Sequence, residues 1–585
     1  MDDTLRLSRY DRWDEPAPLQ GESAAALQDV PPLLAQILHR RGIDDPAEAA
    51  AFLATEGGPL HDPMLLAGMA EAVDRIRLAI AHGERIAIYG DYDADGVTAT
   101  ALLTEALQIA GADVVPYIPL RSEGYGLRDD ALADLARDGA RLVVTVDCGV
   151  GSAAEIARAH ALGLVVIVTD HHAITGAIPG VAVAVLNPRR PDGGYPDSGL
   201  AGVGVAYKLA VASLRAVDAK ASDRFAESAL DLVAIGTIAD VVPLLGENRS
   251  LVKRGLNVLR KTPRPGLRAL IESSGTKKDN LDERDVSHRL APRINATGRL
   301  TEAKISLDLL LEQDTARAES LARQLEISNS ERQRLMEESV IRARSLLESA
   351  PDRAFVAIRD DDCLPGVAGL VASRLTEELT RPVAVLVPLG GQLRGSVRTC
   401  TDFPVASSLA ECADLLLSHG GHARAGGFSV ALERYEELVE RLSELAAAAA
   451  SGGVRRALSI DAELTLRDLT LPTYELTRRL APFGHANREP IFLTRGLKIT
   501  SKRAVGKNGS THLRLTLEDT ARQRAAAIAF GRGSDIDRLP PYVDIAYQLS
   551  RDDFGGTTRI EARVVDLRPA WRRPSSARGS GSLQG

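Results

Sequence analysis

The sequence predicts an α/β protein organised on a parallel β-sheet, and two observations carry that prediction. Short Val/Ile-rich runs alternate with stretches of helical spacing, as strands buried on both faces of a parallel sheet do. Each run also ends in acidic or imidazole side chains. Arg85-Ile86-Ala87-Ile88-Tyr89-Gly90 leads into Asp91-Tyr92-Asp93-Ala94-Asp95-Gly96, Leu142-Val143-Val144-Thr145-Val146 into Asp147, Val165-Val166-Ile167-Val168-Thr169 into Asp170-His171-His172, and the strand-like run Ala234-Ile235-Gly236-Thr237-Ile238-Ala239 into Asp240. Ligands of such sheets collect beyond the carboxyl ends of the strands, so all four clusters are expected on one rim.

Along the chain, residues 1–58 read as an N-terminal helical segment, with helical spacing over 33–53 expected to pack on the parallel-sheet domain that follows. Residues 59–301 hold the four runs above and helices over about 98–110 and 201–217. Residues 302–350 are good helix formers with neither Gly nor Pro, which predicts a long helical connector over 302–351 between two lobes. The second lobe, 352–450, carries Gly366-Val367-Ala368-Gly369, Gly395-Ser396-Val397-Arg398 and Gly420-Gly421-His422-Ala423-Arg424-Ala425-Gly426-Gly427. Glycines admit close approach of backbone amides to phosphate, and Ser and Arg donate to it. Residues 458–567 have the alternation of strands, as in His512-Leu513-Arg514-Leu515-Thr516-Leu517, and 568–585, rich in Arg, Ser, Pro and Gly, is expected to be a disordered tail. Gly199-Leu200-Ala201-Gly202-Val203-Gly204 lacks the order of a nucleotide loop and reads as the opening turn of a helix, with Lys208 beyond it structural or a phosphate contact.

Carboxylates gathered on one rim raise each other's pKa and resist ionising together unless a cation joins them. Asp oxygens with imidazole nitrogens suit Mn²⁺ or Mg²⁺ better than a thiolate-selecting site would. Two such ions about 3.5–4 Å apart stabilise both the attacking and the departing oxygen of a phosphoryl displacement, which makes phosphoester hydrolysis the reaction class indicated. Taken singly, Asp93-Ala94-Asp95-Gly96 reads as a turn and Asp147 as a helix cap. His171 and His172 behind a buried strand, by contrast, leave two polar rings in need of partners.

A chain of 585 residues exceeds one ordinary core and predicts several domains, and 45% hydrophobic with 26% charged residues is a globular composition. No apolar stretch approaches a membrane span, and Met1-Asp2-Asp3-Thr4-Leu5-Arg6 lacks the plan of a signal peptide. Cys148, Cys363, Cys400 and Cys412 have neither CxxC spacing nor a dense framework, which points to the reducing cytoplasm. With 71 Lys+Arg against 79 Asp+Glu the net charge is −8, so any nucleic-acid track is a local groove, and 4% aromatic residues argue against extensive base stacking.

In order and spacing, the four acidic motifs resemble those of the DHH phosphoesterase superfamily. Pro292-Arg293-Ile294-Asn295-Ala296-Thr297-Gly298-Arg299-Leu300, Gly395-Ser396-Val397-Arg398 and the Gly420–Gly427 loop look like the further signatures of its RecJ family, bacterial single-strand-specific 5′→3′ DNA exonucleases, over about residues 33–568. The resemblance implies a parallel-sheet DHH domain, a long connecting helix, a DHHA1-type nucleic-acid-binding lobe with the substrate passing between the lobes, and an OB-fold β-barrel over 458–567. OB barrels grip single strands in a basic groove, for which Arg495, Lys498, Lys502, Arg503, Lys507 and Arg514 are the candidates.

It further implies two-metal hydrolysis at the 5′ end of single-stranded DNA, releasing 5′-mononucleotides in repair and recombination. Asp91 and Asp93 would hold one ion, Asp95, His171 and Asp240 the other, and Asp147 would bridge them. His172 would contact the scissile phosphate or the leaving group, with Asp170 behind the His pair to orient it. Arg121, Ser396 and Arg398 match positions that hold the 5′-terminal phosphate, Asn295 and Arg299 would hold the backbone, and His422 would shape the site from the opposite lobe. The implied partners are single-stranded DNA, a single-strand-binding protein and a RecQ-type helicase, with no membrane. One departure stands out: family members often carry an aromatic-His pair before Pro-Gly-Val, where this chain has Cys363-Leu364-Pro365-Gly366-Val367.

Three alternatives stay open: a DHH enzyme for short oligonucleotides, cyclic dinucleotides or nucleoside bisphosphates, a non-catalytic DNA-binding scaffold, and a DHH pyrophosphatase. The connector and third unit speak against the first, the intact acidic motifs against the second, and the first motif, which lacks a leading His, against the third. Phosphate and sugar contacts carry no sequence information, so little sequence preference is expected, and selection of single strands is expected to be steric.

Overall fold

The computed structural model describes residues 7–121, 124, 126–174, 176–348, 352–450, 457–506, 511–552 and 558–570. It divides into two compact units, Pro59–Val454 and the pair of segments Met1–Gly58 with Arg455–Gly585.

In the larger unit, β1 (Arg85–Gly90), β2 (Val114–Tyr117), β3 (Ala140–Val146), β4 (Val165–Thr169) and β5 (Ala184–Leu186) form an all-parallel sheet in the order β2-β1-β3-β4-β5. β1, β3 and β4 are buried almost throughout, which is why they read as unbroken apolar runs rather than alternating ones. Strand order reverses between β1 and β3, and the loops after these two strands carry Asp91 and Asp147. That reversal is the crevice where α/β sheets bind ligands.

The helices α1 (Ala94–Ile109), α2 (Gly202–Arg215) and α3 (Leu230–Ala239) pack against one another over this rim. α3 corrects the sequence reading: the run over residues 234–239 is the end of a helix, not a strand, and Asp240 is its C-cap. A helix buried on all sides is apolar on all sides, so over six residues its pattern matches that of a buried strand. The connector differs as well. It is a short helix, Lys304–Leu311, a break, and α5 (Thr315–Glu348), 34 residues long. At the break the Glu312 carboxylate accepts the N–H groups of Gln313 and Asp314, and Asp314 caps α5 through the N–H of Arg317. Residues 302–350 lack Gly and Pro, yet local carboxylate capping suffices to stop a helix.

α4 (Ala291–Leu300) precedes the connector, and the second lobe follows it. That lobe has α6 (Pro365–Leu379) against strands β6 (Val356–Arg359), β7 (Val383–Leu389), β8 (Gln392–Arg398), β9 (Leu416–Gly421) and β10 (Ala425–Ala431), ordered β9-β10-β8-β7-β6. On β8, Leu393, Gly395 and Val397 point into the core while Arg394, Ser396 and Arg398 share the other, half-buried face.

The smaller unit holds β11 (Ala462–Glu463), β12 (Phe492–Val505), β13 (His512–Glu518), β14 (Arg524–Ala529), β15 (Tyr542–Asp552) and β16 (Arg559–Pro569). β12 pairs with β13 at one end and β15 at the other, closing a five-stranded barrel β12-β13-β14-β16-β15. Its register shifts between Thr494 and Leu497, where Gly496 has a φ of 63°. Contrary to the sequence expectation, the N-terminal helices Pro32–Arg40 and Pro46–Leu53 belong to this unit: Leu34, Ile37, Leu38, Ala49 and Leu53 share its core with Phe492, Leu515 and Tyr547. Their spacing showed an apolar face without specifying its counterpart. The strand Arg12–Asp14 pairs in parallel with Ala457–Ser459, and the buried Asp566 carboxylate receives Trp13 Nε1 at 2.9 Å and Arg532 Nη1 at 3.1 Å.

Of the basic barrel residues, Arg495 is taken up by Glu15 and Glu463, Arg514 by Glu561, and Lys502 donates to the Ile536 carbonyl, whereas Lys498 and Arg503 are exposed. Lys507 lies outside the described residues, as does the tail beyond residue 570, while β16 continues to Pro569. Among the described residues no helix is long and apolar enough to cross a membrane, and all four cysteines are free thiols.

Candidate active site

The rim is built from helix ends. Asp93 caps α1, its Oδ1 accepting the N–H groups of Asp95 at 2.9 Å and Gly96 at 3.1 Å. Asp95, in the first turn of α1, accepts the N–H groups of Gly202 at 2.7 Å and Val203 at 2.9 Å, so the N-terminus of α2 orients this buried carboxylate. Asp147 stands in left-handed backbone, φ 62°, at the end of β3. A Cβ on Gly202 would come within 2.6 Å of Asp147 Oδ1, and one on Gly236 within 2.7 Å of Asp95 Oδ1. α2 and α3 therefore reach the carboxylates only because these two positions lack a side chain.

His171 Nε2 lies 3.1 Å from Asp147 Oδ1, 3.5 Å from Asp240 Oδ2 and 4.0 Å from Asp95 Oδ2. Ligand-type atoms of Asp95, His171 and Asp240 fall within 4.8 Å of one another, as do those of Asp91, Asp93 and Asp147, and those of Asp147, His171 and His172. Burial, then the neighbouring carboxylates, pushes Asp91 up to about 8, Asp95 to about 7 and Asp240 to about 9, and holds Asp147 well above the usual carboxylate range. Burial and the charge of His172 push His171 down to about 3, so its ring is neutral. Asp91 Oδ1 and both ring nitrogens of His171 are buried without a hydrogen-bond partner. Leaving such groups bare costs about 1–3 kcal/mol each. A neutral imidazole beside clustered carboxylates is a donor set for divalent cations, and these residues fit one.

Asp170 is fully buried and takes four contacts: the N–H groups of Val150, His171 and His172, and His172 Nδ1 at 2.7 Å. It thus orients the ring of His172 directly but reaches His171 only through its backbone. Burial works against the His172 imidazolium, but the Asp170 carboxylate outweighs it and raises its pKa. His422 from the second lobe stacks on His172, ring centres 6.2 Å apart and 16° from parallel.

Arginines surround this cluster. Arg121 lies over the Tyr92 ring at 4.2 Å, and Arg299 donates to the Gly366 carbonyl at 2.9 Å, joining α4 to α6. Arg398 passes against Gly369, whose added Cβ would stand 2.9 Å from Nη2. Burial, then the charges of Arg121, Arg332 and Arg398, pushes Arg299 down to about 9. Cations that disfavour one another in a buried place make a receptor for anions.

Three family models match in sequence: the DHH family N-terminal domain over residues 85–237, the DHHA1 domain over 352–448 and the RecJ OB domain over 460–566. The chain is 35% identical to the single-stranded-DNA-specific exonuclease RecJ of Bacillus subtilis, over 95% of this chain and 70% of that protein, and 36% identical to the RecJ of Dickeya dadantii, over 92% and 96%. The chain belongs to the RecJ family. The crystal structure of RecJ from Thermus thermophilus in complex with Mn²⁺ superposes with a TM-score of 0.80 at 33% identity, covering 96% of this chain and 80% of that one. The same protein with Mg²⁺ gives 0.74 at 32%, covering 96% and 79%.

Set on this RecJ-family framework, Asp91, Asp93, Asp95, Asp147, His171, His172 and Asp240 come together as the sequence expected, with His422 against them. Arg121, Arg299 and Arg398 lie within one another's electrostatic reach, and Ser396 shares the face of Arg398. Asn295 is committed differently: its Oδ1 accepts the N–H of Ala94 at 2.8 Å and so fixes the start of α1, which leaves its amide group as the donor. Lys208 is structural, buried and paired with Glu247. The sequence reading missed Gly202, Val203 and Gly236. The loop at 199–204 read as a helix opening, and a helix opening presents amides to anions.

Proposed function

We propose that this chain is a single-strand-specific 5′→3′ DNA exonuclease that releases 5′-mononucleotides with two divalent cations, Mn²⁺ or Mg²⁺, and acts in DNA repair and recombination. The observation that carries the reading is the pair of donor groups Asp91–Asp93–Asp147 and Asp95–His171–Asp240, set side by side with Asp147 between them. Two ions held there would supply Lewis-acid activation of water and neutralise the charge that develops on the phosphate.

The chain's own residues do the rest. Arg121, Ser396 and Arg398 receive the 5′-terminal phosphate, Arg299 and the Asn295 amide the strand beside it, and the phosphate joining the first two nucleotides then faces Asp147 and His172. Water adds to phosphorus and the bond to the 3′ oxygen of the first nucleotide breaks. His172, its Nδ1 held by Asp170, has Nε2 left to give a proton to that departing oxygen. The shortened strand carries a new 5′-phosphate, the group the same arginines accept in the next round. Stacking of His422 on His172 brings the two lobes over the strand, which supports steric exclusion of a duplex. On the barrel, exposed Lys498 and Arg503 are the proposed contacts to the strand.

As domain limits we propose 59–301 for the DHH domain, 302–351 for the connector, 352–450 for the DHHA1-type domain and 458–567 for the OB fold. A cytoplasmic site of action, a single-strand-binding protein and a RecQ-type helicase as partners are supported by family membership alone. The test is a 30-mer labelled separately at each end, incubated with Mn²⁺, Mg²⁺ or EDTA beside Asp147→Ala. Mononucleotides should leave the 5′ end only, with no release in EDTA or from the variant. Faster cleavage of a dinucleotide than of the long strand, or loss of the 3′ label first, overturns the reading.

A further inference from the structure

Helix α5 reads as a spacer between the lobes, and its arginines mostly behave as a spacer's would. Arg317 pairs with Glu312, Arg323 with Glu319, Arg334 with Glu331 and Glu338, Arg342 with Asp360, and Arg344 with Glu378. Arg332 is the exception: among the described residues it forms no ion pair. Its Nη2 donates to Oδ1 of the buried Asn329 at 2.9 Å, and its Nε is buried with no hydrogen-bond partner. Arg332 is half-buried, and a guanidinium, always charged, is costly to desolvate even in part without an anion. The neutral Asn329 amide orients the group without neutralising it.

Two contacts fix where Arg332 lies. Arg293 of α4 pairs with Glu326 of α5, and Leu300 at the end of α4 packs in one apolar cluster with Leu335 and Met336 of α5. The two helices therefore run side by side in the same direction, which sets Arg332 within reach of the charges of Arg299 and of Arg293, the latter already paired with Glu326. Neither Arg299, Arg121 nor Arg398 forms an ion pair among the described residues, and Arg121 Nε is likewise buried without a partner. Four guanidiniums without a carboxylate exceed what one terminal phosphate needs.

We propose that Arg332, together with Arg299, binds an internal phosphodiester of the strand, at a subsite separate from the 5′-terminal phosphate held by Arg121 and Arg398. The inference rests on the nuclease reading above. It makes the connector part of the binding track.

The test measures binding of 5′-phosphorylated dT12 by anisotropy with Ca²⁺ in place of Mn²⁺, for wild type, Arg332→Gln and Arg332→Lys. Strands with one neutral methylphosphonate at each of the first four linkages are compared. Loss of a charged hydrogen bond predicts an affinity about tenfold to a hundredfold weaker for Arg332→Gln, and a slope of log K against log salt shallower by about 0.7. One methylphosphonate position should weaken wild type equally and Arg332→Gln no further, while removal of the 5′-phosphate should weaken both proteins by the same factor. Arg332→Lys should recover part of the affinity, with melting temperatures unchanged. Unchanged affinity in Arg332→Gln, or equal methylphosphonate losses in both proteins at every linkage, overturns the inference. Wild type that fails to bind dT12 overturns the nuclease reading and this inference with it.

Discussion

Gly202→Ala is the sharpest probe of how the acidic cluster is held. The new Cβ would stand 2.6 Å from Asp147 Oδ1, 2.7 Å from its Cβ and 2.8 Å from its Cγ. Ordinary contact is about 3.5 Å, so the two residues must part by about 0.9 Å. Asp147 has little room to yield: it is 2% exposed, sits at φ 62° and faces His171 Nε2 at 3.1 Å. If α2 moves instead, its amides leave Asp95. A displacement near 1 Å at reacting groups costs about a hundredfold in rate, and overpacking about 1–3 kcal/mol. Single-turnover release from a 5′-labelled strand should therefore slow about a hundredfold or more, and Mn²⁺ affinity, read by calorimetry, should fall. Gly151→Ala, whose Cβ meets nothing within 4 Å, is the control and should match wild type. A Gly202→Ala enzyme within threefold of wild type, with unchanged Mn²⁺ affinity, refutes the claim that close approach at this glycine positions the carboxylates.

Other expectations follow from the same cluster. Asp91, Asp95 and Asp240 titrate at about 8, 7 and 9 in the folded protein, against about 4 unfolded, so the folded state binds more protons between those values. Stability without metal should fall as pH rises from about 4 to 9, and Mn²⁺ should raise the melting temperature more at pH 8.5 than at 5.5; equal shifts by scanning calorimetry contradict this. Asp170→Asn removes the carboxylate that keeps the His172 imidazolium, so the alkaline limb of the kcat profile should move to lower pH, and an unmoved limb excludes His172 as proton donor. Leu38→Ala should cost about 2–5 kcal/mol in the unfolding transition of the barrel unit and leave the transition that responds to Mn²⁺ in place.

What the sequence disclosed follows from its physics. β1, β3 and β4 are buried on both faces, so their apolar runs were unambiguous and the acidic residues after them could be located. Residues 234–239 failed because an all-apolar helix and an all-apolar strand look alike over six residues, although Asp240 still reached the cluster from the end of α3. Gly202 and Gly236 were invisible as site residues, since a glycine's lack of a side chain matters only once its neighbour in space is known. Arg332 was hidden for a related reason: α5 is rich in both charges, and no pattern tells which arginine will find a carboxylate. The partner of the helices at 32–53 was equally out of reach, because an amphipathic face specifies burial without naming the counterpart.

That last contact sets a schedule for biosynthesis. Ser8 bonds to Asp566, 558 positions later, and the apolar faces of the early helices complete a core whose other half is translated last. At about 5–20 residues per second the leading segment waits roughly half a minute to two minutes on the ribosome with its greasy side uncovered. A message truncated before β11 leaves that side bare, a target for chaperones and proteases, so translation through the barrel strands is a condition for stable accumulation.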